Sequence, residues 1–201
     1  MRILDIQAIE DIALGAALLG TGGGGDPYVG KLMAIQAVEE FGPIQLLEPH
    51  EVPDEALIVP TAMMGAPTVL VEKVPNGEEA IHAFNSLAKT LGTKVFATIP
   101  IEAGGVNSMI PLALAARMGI SVVDTDGMGR AFPELQMVTF HVNDISATPM
   151  VLCDEKGNGI KLKTVDKVWA DGGATNAKAG HLVARLIGLF TTNLVRCFLS
   201  P

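Results

Sequence analysis

Between Ile44 and Asp124 the chain alternates short apolar runs with longer stretches of helical spacing, and that alternation limits the folds open to it. Ile44 to Leu47, Ala56 to Thr61, Lys94 to Ile99 and Ser121 to Asp124 have the length and aliphatic character of buried strands. Met63 to Pro67 reads as the loop leaving the second of them. Residues 77 to 91 place Ile81, Phe84, Ala88 and Leu91 on one helical face and stop at Gly92. Another helix starts at a cap, Asn107 or Ser108, and runs to Met118 before Gly119 ends it. A strand that reaches the next by way of a helix returns to the same end of the sheet, so the strands run parallel and both faces need cover. The expected fold is α/β, a layered α/β/α domain with a mainly parallel sheet.

Two helices precede this region. Asp5 caps the first, over residues 5 to 19, with Ile6, Ile9, Ala13 and Ala16 at helical spacing. Asp26-Pro27 opens the second, whose Val29, Leu32, Met33, Ala37 and Phe41 share a face until Gly42-Pro43. After Asp144 the character changes. Met150 to Cys153, a turn over 154 to 159 and Ile160 to Thr164 read as a β-hairpin. The expected division is an α/β domain over 1–145, a hairpin entering a β-rich C-terminal domain over 146–170, and an atypical tail over 171–201.

Charge and composition exclude several classes. With 14 basic and 22 acidic residues the net charge is −8, and no Lys/Arg cluster offsets it, so a nucleic-acid partner is not expected. Asp5, Glu10 and Asp11 break the first apolar run, and Arg185 and Arg196 break the last one, which argues against a signal peptide and a membrane span. Cys153 and Cys197 are far apart and make no disulfide framework, so a cytoplasmic location is the expectation.

Two segments carry the chemistry. The first is Gly20 to Gly30, GTGGGGDPYVG, with five glycines in six positions. It matches G-x-G-x-x-G over 20–25 and part of a phosphate loop over 25–31. The first match follows a helix instead of a strand, and the second has Leu32 where magnesium needs Ser or Thr. Glycine at positive φ could simply turn the chain. Alternatively Gly22, Gly23, Gly24 and Gly25, leading into a helix capped by Asp26, could form a backbone nest for a carboxylate, phosphate or oxyanion of the substrate.

The second segment, Asp124 to Met137, reads DTDGMGRAFPELQM. Asp124 closes a strand at the edge where α/β sheets place ligands, and Asp126 follows on a loop that Gly127 and Gly129 can bend. The two could hold a divalent metal such as zinc, or divide the roles of acid and base. Arg130 and Glu134 could bind substrate, Arg130 through a bidentate contact, or pair with each other. Ile101 to Ser108, IEAGGVNS, adds Glu102 as a general base and Asn107 as a polar anchor or, more simply, the helix cap. His141 could be a metal ligand or proton shuttle, or more simply structural; His50, His82 and His181 lack ligand-like neighbours, Cys153 reads as packing, and no serine-hydrolase elbow is present.

LGTGGGGDPYVGK, then IPIEAGG-NSMIPLALAARMG (Val106 at the gap), then DTDGMGRAFPELQM together resemble the N-terminal domain of the S-methyl thiohydantoin desulfurase-like family, over about residues 5–169. That family was long a domain of unknown function associated with hydantoinase/oxoprolinase genes. The resemblance implies an α/β domain followed by a β-rich one in longer chains. It also implies hydrolytic removal of methanethiol from an S-methyl thiohydantoin, a small-molecule substrate. A non-catalytic accessory role beside a hydantoinase or oxoprolinase partner is the alternative, and a nucleotide- or phosphate-binding enzyme using the glycine loop is another. A homo-oligomer is expected. After Trp169-Ala170 the sequence does not resemble the family's continuation, which suggests a truncated or frame-shifted end and an inactive form of the chain.

Overall fold

The structure, a computed structural model, describes residues 1–21, 23–65, 72–73, 75–132, 134, 137–165 and, as backbone, 183–187. Its strands are β1 (Arg2–Leu4), β2 (Ile44–Leu47), β3 (Leu57–Met64), β4 (Val95–Pro100), β5 (Ser121–Val123), β6 (Met150–Asp154), β7 (Gly159–Leu162) and β8 (Val183–Ile187). The long helices are α1 (Ile6–Gly20), α2 (Pro27–Phe41), α3 (Glu78–Leu91) and α4 (Ile110–Met118).

One sheet has the order β1-β2-β5-β4-β3-β8-β6-β7. Its centre, β2-β5-β4-β3, is parallel, as the helix-spaced apolar runs require. All four carboxyl ends therefore lie along one edge. The short β1 adds antiparallel to β2, and the β6–β7 hairpin joins through β8, which is antiparallel to both β3 and β6. β3 runs to Met64, into residues expected to start a loop, because Met63 is buried against α3 and α4. β8 falls inside the stretch expected to be an atypical tail. Trp169 and the rest of 166–182 and 188–201 lie outside the described residues.

One sheet face carries α3 and α4. Every residue from Ile110 to Ala116 is buried, which fits a helix enclosed on all sides. Ile110 and Leu114 pack toward the β3 side with Val59 and Phe84, while Leu112, Ala113 and Ala116 pack beneath α1 and α2 with Ile9, Ala13, Ala34 and Ala37. Alanines at these contacts let the helices approach closely. The other face, with Ile58, Ile99, Val123, Met150 and Leu152, is covered among the described residues by Val52, Val138, Phe140, Ile145 and Ala147, on irregular backbone containing one helical turn, Thr139–Val142. The hairpin shares these cores, since Met150 and Leu152 enter one and Val151 and Cys153 the other.

Asp154 holds the hairpin turn. Its Oδ1 accepts the Lys156 and Asn158 N–H groups at 3.0 and 2.8 Å, and its Oδ2 accepts from Asn158 Nδ2 at 2.8 Å. Asp154→Ala strands these donors, and a loss of about 2 kcal/mol in urea unfolding is expected. In the adjacent strand position, burial, with a smaller contribution from Asp154, pushes the Cys153 thiol up. A raised thiol favours the folded state below the unfolded pKa, and this contribution is lost as pH rises through the folded value. Peptide-level alkylation by iodoacetamide at pH 8 should leave Cys153 unlabelled until the protein is denatured.

Candidate active site

The carboxyl edge of the parallel strands gathers three loops: 20–26 between α1 and α2, 101–109 after β4, and 124–132 after β5. Glu102 sits where they meet. It is 6% exposed, its Oε1 accepts from Asn107 Nδ2 at 2.6 Å, and its Oε2 accepts the Phe132 N–H at 3.3 Å. Asn107, also buried, accepts the Met63 N–H on Oδ1 at 2.8 Å, which ties Glu102 to the end of β3. A buried carboxylate with N–H donors on both oxygens is held in one orientation.

Asn107 does not serve as the helix cap expected of it. Gly105–Ser108 form a 3-10 turn, Met109 takes the cap position of α4 without a side-chain bond, and the Asn107 amide is engaged by Glu102 and Met63. Ser108 instead accepts the Gly104 N–H at 2.8 Å.

The glycine run meets a second pair of glycines, Gly104-Gly105, backbone against backbone. The Val106 N–H donates to Gly24 O at 2.8 Å. A Cβ on Gly105, whose φ is +59°, would lie 2.4 Å from Gly24 C and O; one on Gly24 would lie 2.7 Å from Gly104 O and 3.3 Å from Glu102 Oε1. Only residues without side chains allow this approach. Gly22 lies outside the described residues. Gly23, Gly25 and Gly20, with Ala16, Ala17 and Asp26, line a cleft with about 590 Å³ of empty space, open solvent included. Gly24 separates the wall of this cleft from Glu102. Asp26 caps α2 as expected, its Oδ1 accepting the Tyr28 N–H at 2.9 Å.

The two aspartates part company. Asp126 turns back into the loops, and its Oδ2 accepts from the Ala103, Met128 and Gly129 N–H groups at 3.0, 3.0 and 2.5 Å. It braces the segment that carries Glu102. Asp124 is half exposed and forms an ion pair with Arg2, which also reaches Glu48 at 3.5 Å. As a pair they do not fit a zinc ion, because one carboxylate is filled by backbone donors and the other faces an arginine. Among the described residues no group of three His, Cys, Asp or Glu side chains is placed to hold a metal. Arg130 is exposed and lies 5.0 Å over the Phe132 ring, while Glu134 is exposed and accepts the Met137 N–H on its main-chain oxygen. Reading the sequence missed Gly105 and the Phe132 N–H; the doubled glycine after Glu102 was the available signal for the first.

The fold and its edge define an α/β domain with a buried acid beside a glycine-walled cleft. The chain belongs to the S-Me-THD-like family, whose N-terminal-domain model matches residues 7–164. No curated protein matches it. Among solved structures, a protein from Chromobacterium violaceum is similar with a TM-score of 0.80 at 23% identity, over 98% of this chain and 57% of that one. The chain thus spans little more than half the length of that structure, and the likeness establishes the fold. Among the described residues no helix is long and apolar enough to cross a membrane.

Proposed function

We propose that this domain supplies the hydrolytic site of a cytoplasmic desulfurase acting on an S-methyl thiohydantoin. The observation that supports it is the Glu102 carboxylate, buried at the carboxyl end of a central parallel strand and oriented by Asn107 and the Phe132 N–H. Open α/β sheets bind ligands at this edge, and the family's name carries the substrate chemistry.

In the proposed reaction water attacks the ring carbon that bears the methylthio group. Glu102 accepts one water proton as the C–O bond forms and delivers it to the ring nitrogen, whose double bond to carbon opens. Collapse of the tetrahedral intermediate breaks the C–S bond. As the carbonyl forms, Glu102 takes the proton of the new hydroxyl and passes it to the departing thiolate, so one water yields one hydantoin carbonyl and one methanethiol. Asp126 fixes Ala103, the neighbour of Glu102, and keeps the base aligned.

Methanethiol captured with a thiol reagent, and hydantoin measured by mass, should appear in equal amounts from an S-methyl thiohydantoin. Ring opening without thiol release would replace this reading with a hydantoinase-type one. Self-association belongs to the same proposal. Leu14 and Leu18, one turn apart on α1, are 76% and 74% exposed and give an apolar stripe that a second copy could cover. Sedimentation should then show a dimer or larger species, and Leu18→Glu should shift it to monomer.

A further inference from the structure

We propose that the cleft beside the glycine loop takes a neutral, flat ring bearing an N–H group, and not an anion, with Asp26 setting that preference; this rests on reading the edge as the substrate site. The cleft's cavity volume of about 300 Å³ stands at the lower end of the range of small-molecule sites. Its walls include Ala16, Ala17, Pro27 and the backbone of four glycines, with Thr21 and Asp26 as the polar side chains, and the small residues suit a thin planar group. Among the described residues no lysine, arginine or histidine lines it.

A helix N-terminus after a glycine run ordinarily favours an anion. Here that position already holds one, because Asp26 Oδ1 accepts the Tyr28 N–H. A phosphate or carboxylate entering the cleft meets a like charge. Lys31, one turn into α2, is turned over the Tyr28 ring at 5.3 Å. Asp26 Oδ2 takes no hydrogen bond from the described residues and is available to accept a ring N–H. Any carboxylate on the substrate therefore points out of the cleft.

The test is an amide NMR titration of this chain with hydantoin itself and, separately, with inorganic phosphate. Hydantoin should move the Gly20, Thr21, Gly23 and Gly25 resonances, and phosphate should not. Ala17 is exposed on α1, so Ala17→Trp fills the cleft without touching the core, and it should weaken hydantoin about tenfold or more at unchanged Tm. Asp26→Asn keeps an equivalent helix cap but loses the charge, and should weaken hydantoin about fivefold. Phosphate shifts without hydantoin shifts would overturn the proposal, as would an affinity indifferent to Ala17→Trp or to Asp26→Asn. Hydantoin binding without methanethiol release would count against the Glu102 chemistry and leave the cleft assignment standing.

Discussion

Gly105→Ala is expected to lower the unfolding free energy by about 3–4 kcal/mol, whereas Gly119→Ala should cost about 1 kcal/mol. The two glycines have almost the same backbone angle, φ +59° and +62°. Both substitutions carry the conformational penalty of a side chain in the left-handed region. They differ in what the new Cβ meets. At Gly119 nothing lies within 4 Å, while at Gly105 the backbone of Gly24 lies 2.4 Å away. Backbone cannot swing aside as a long side chain can, so the loops must separate and the Val106–Gly24 hydrogen bond must stretch or break. The melting temperature should fall by roughly 10 °C for Gly105→Ala and by only a few degrees for Gly119→Ala. Equal urea midpoints for the two variants would mean that the glycine loops are not packed as described.

The second large effect is on rate. Glu102→Gln should reduce methanethiol release about 100- to 1,000-fold, the usual contribution of a positioned general base. Glutamine has the shape of glutamate but cannot take a proton from water. One of its two terminal atoms must also present an N–H to a donor, either Asn107 Nδ2 or the Phe132 N–H. A stability loss of about 1–3 kcal/mol follows from that mismatch, and it is measured separately by the melt. The KM should change far less than kcat, because in the proposed reaction Glu102 acts on water and is not among the residues lining the cleft.

The parallel core was legible because each strand is a short aliphatic run between capped helices. Asp5, Asp26, Gly92 and Gly119 stand where the caps occur. β1 and β8 were not, since three residues of Arg2–Leu4, and VARLI with its central arginine, have no period of their own and gain strand structure from a neighbour. Glu102 and Asn107 were read as residues at the same sheet edge, and the structure places them 2.6 Å apart. The role of Asn107 was misjudged because position before a helix says cap, while its amide finds stronger partners across the edge. The spacing of Asp124 and Asp126 suggested one cavity. The turn at Thr125, whose N–H donates to Val123 O at 2.8 Å, sends them to different neighbours. The packing of Gly24 against Gly104-Gly105 was not legible, because the partner lies some eighty residues away and a single sequence does not reveal that pairing.

The measurement that bears most directly on the account is methanethiol release from an S-methyl thiohydantoin by the wild-type chain and by Glu102→Gln, with melts on both. The account predicts stoichiometric release from the wild type and a loss of about 100-fold or more in kcat for a variant that is still folded. A folded Glu102→Gln protein that releases methanethiol at the wild-type rate would contradict it.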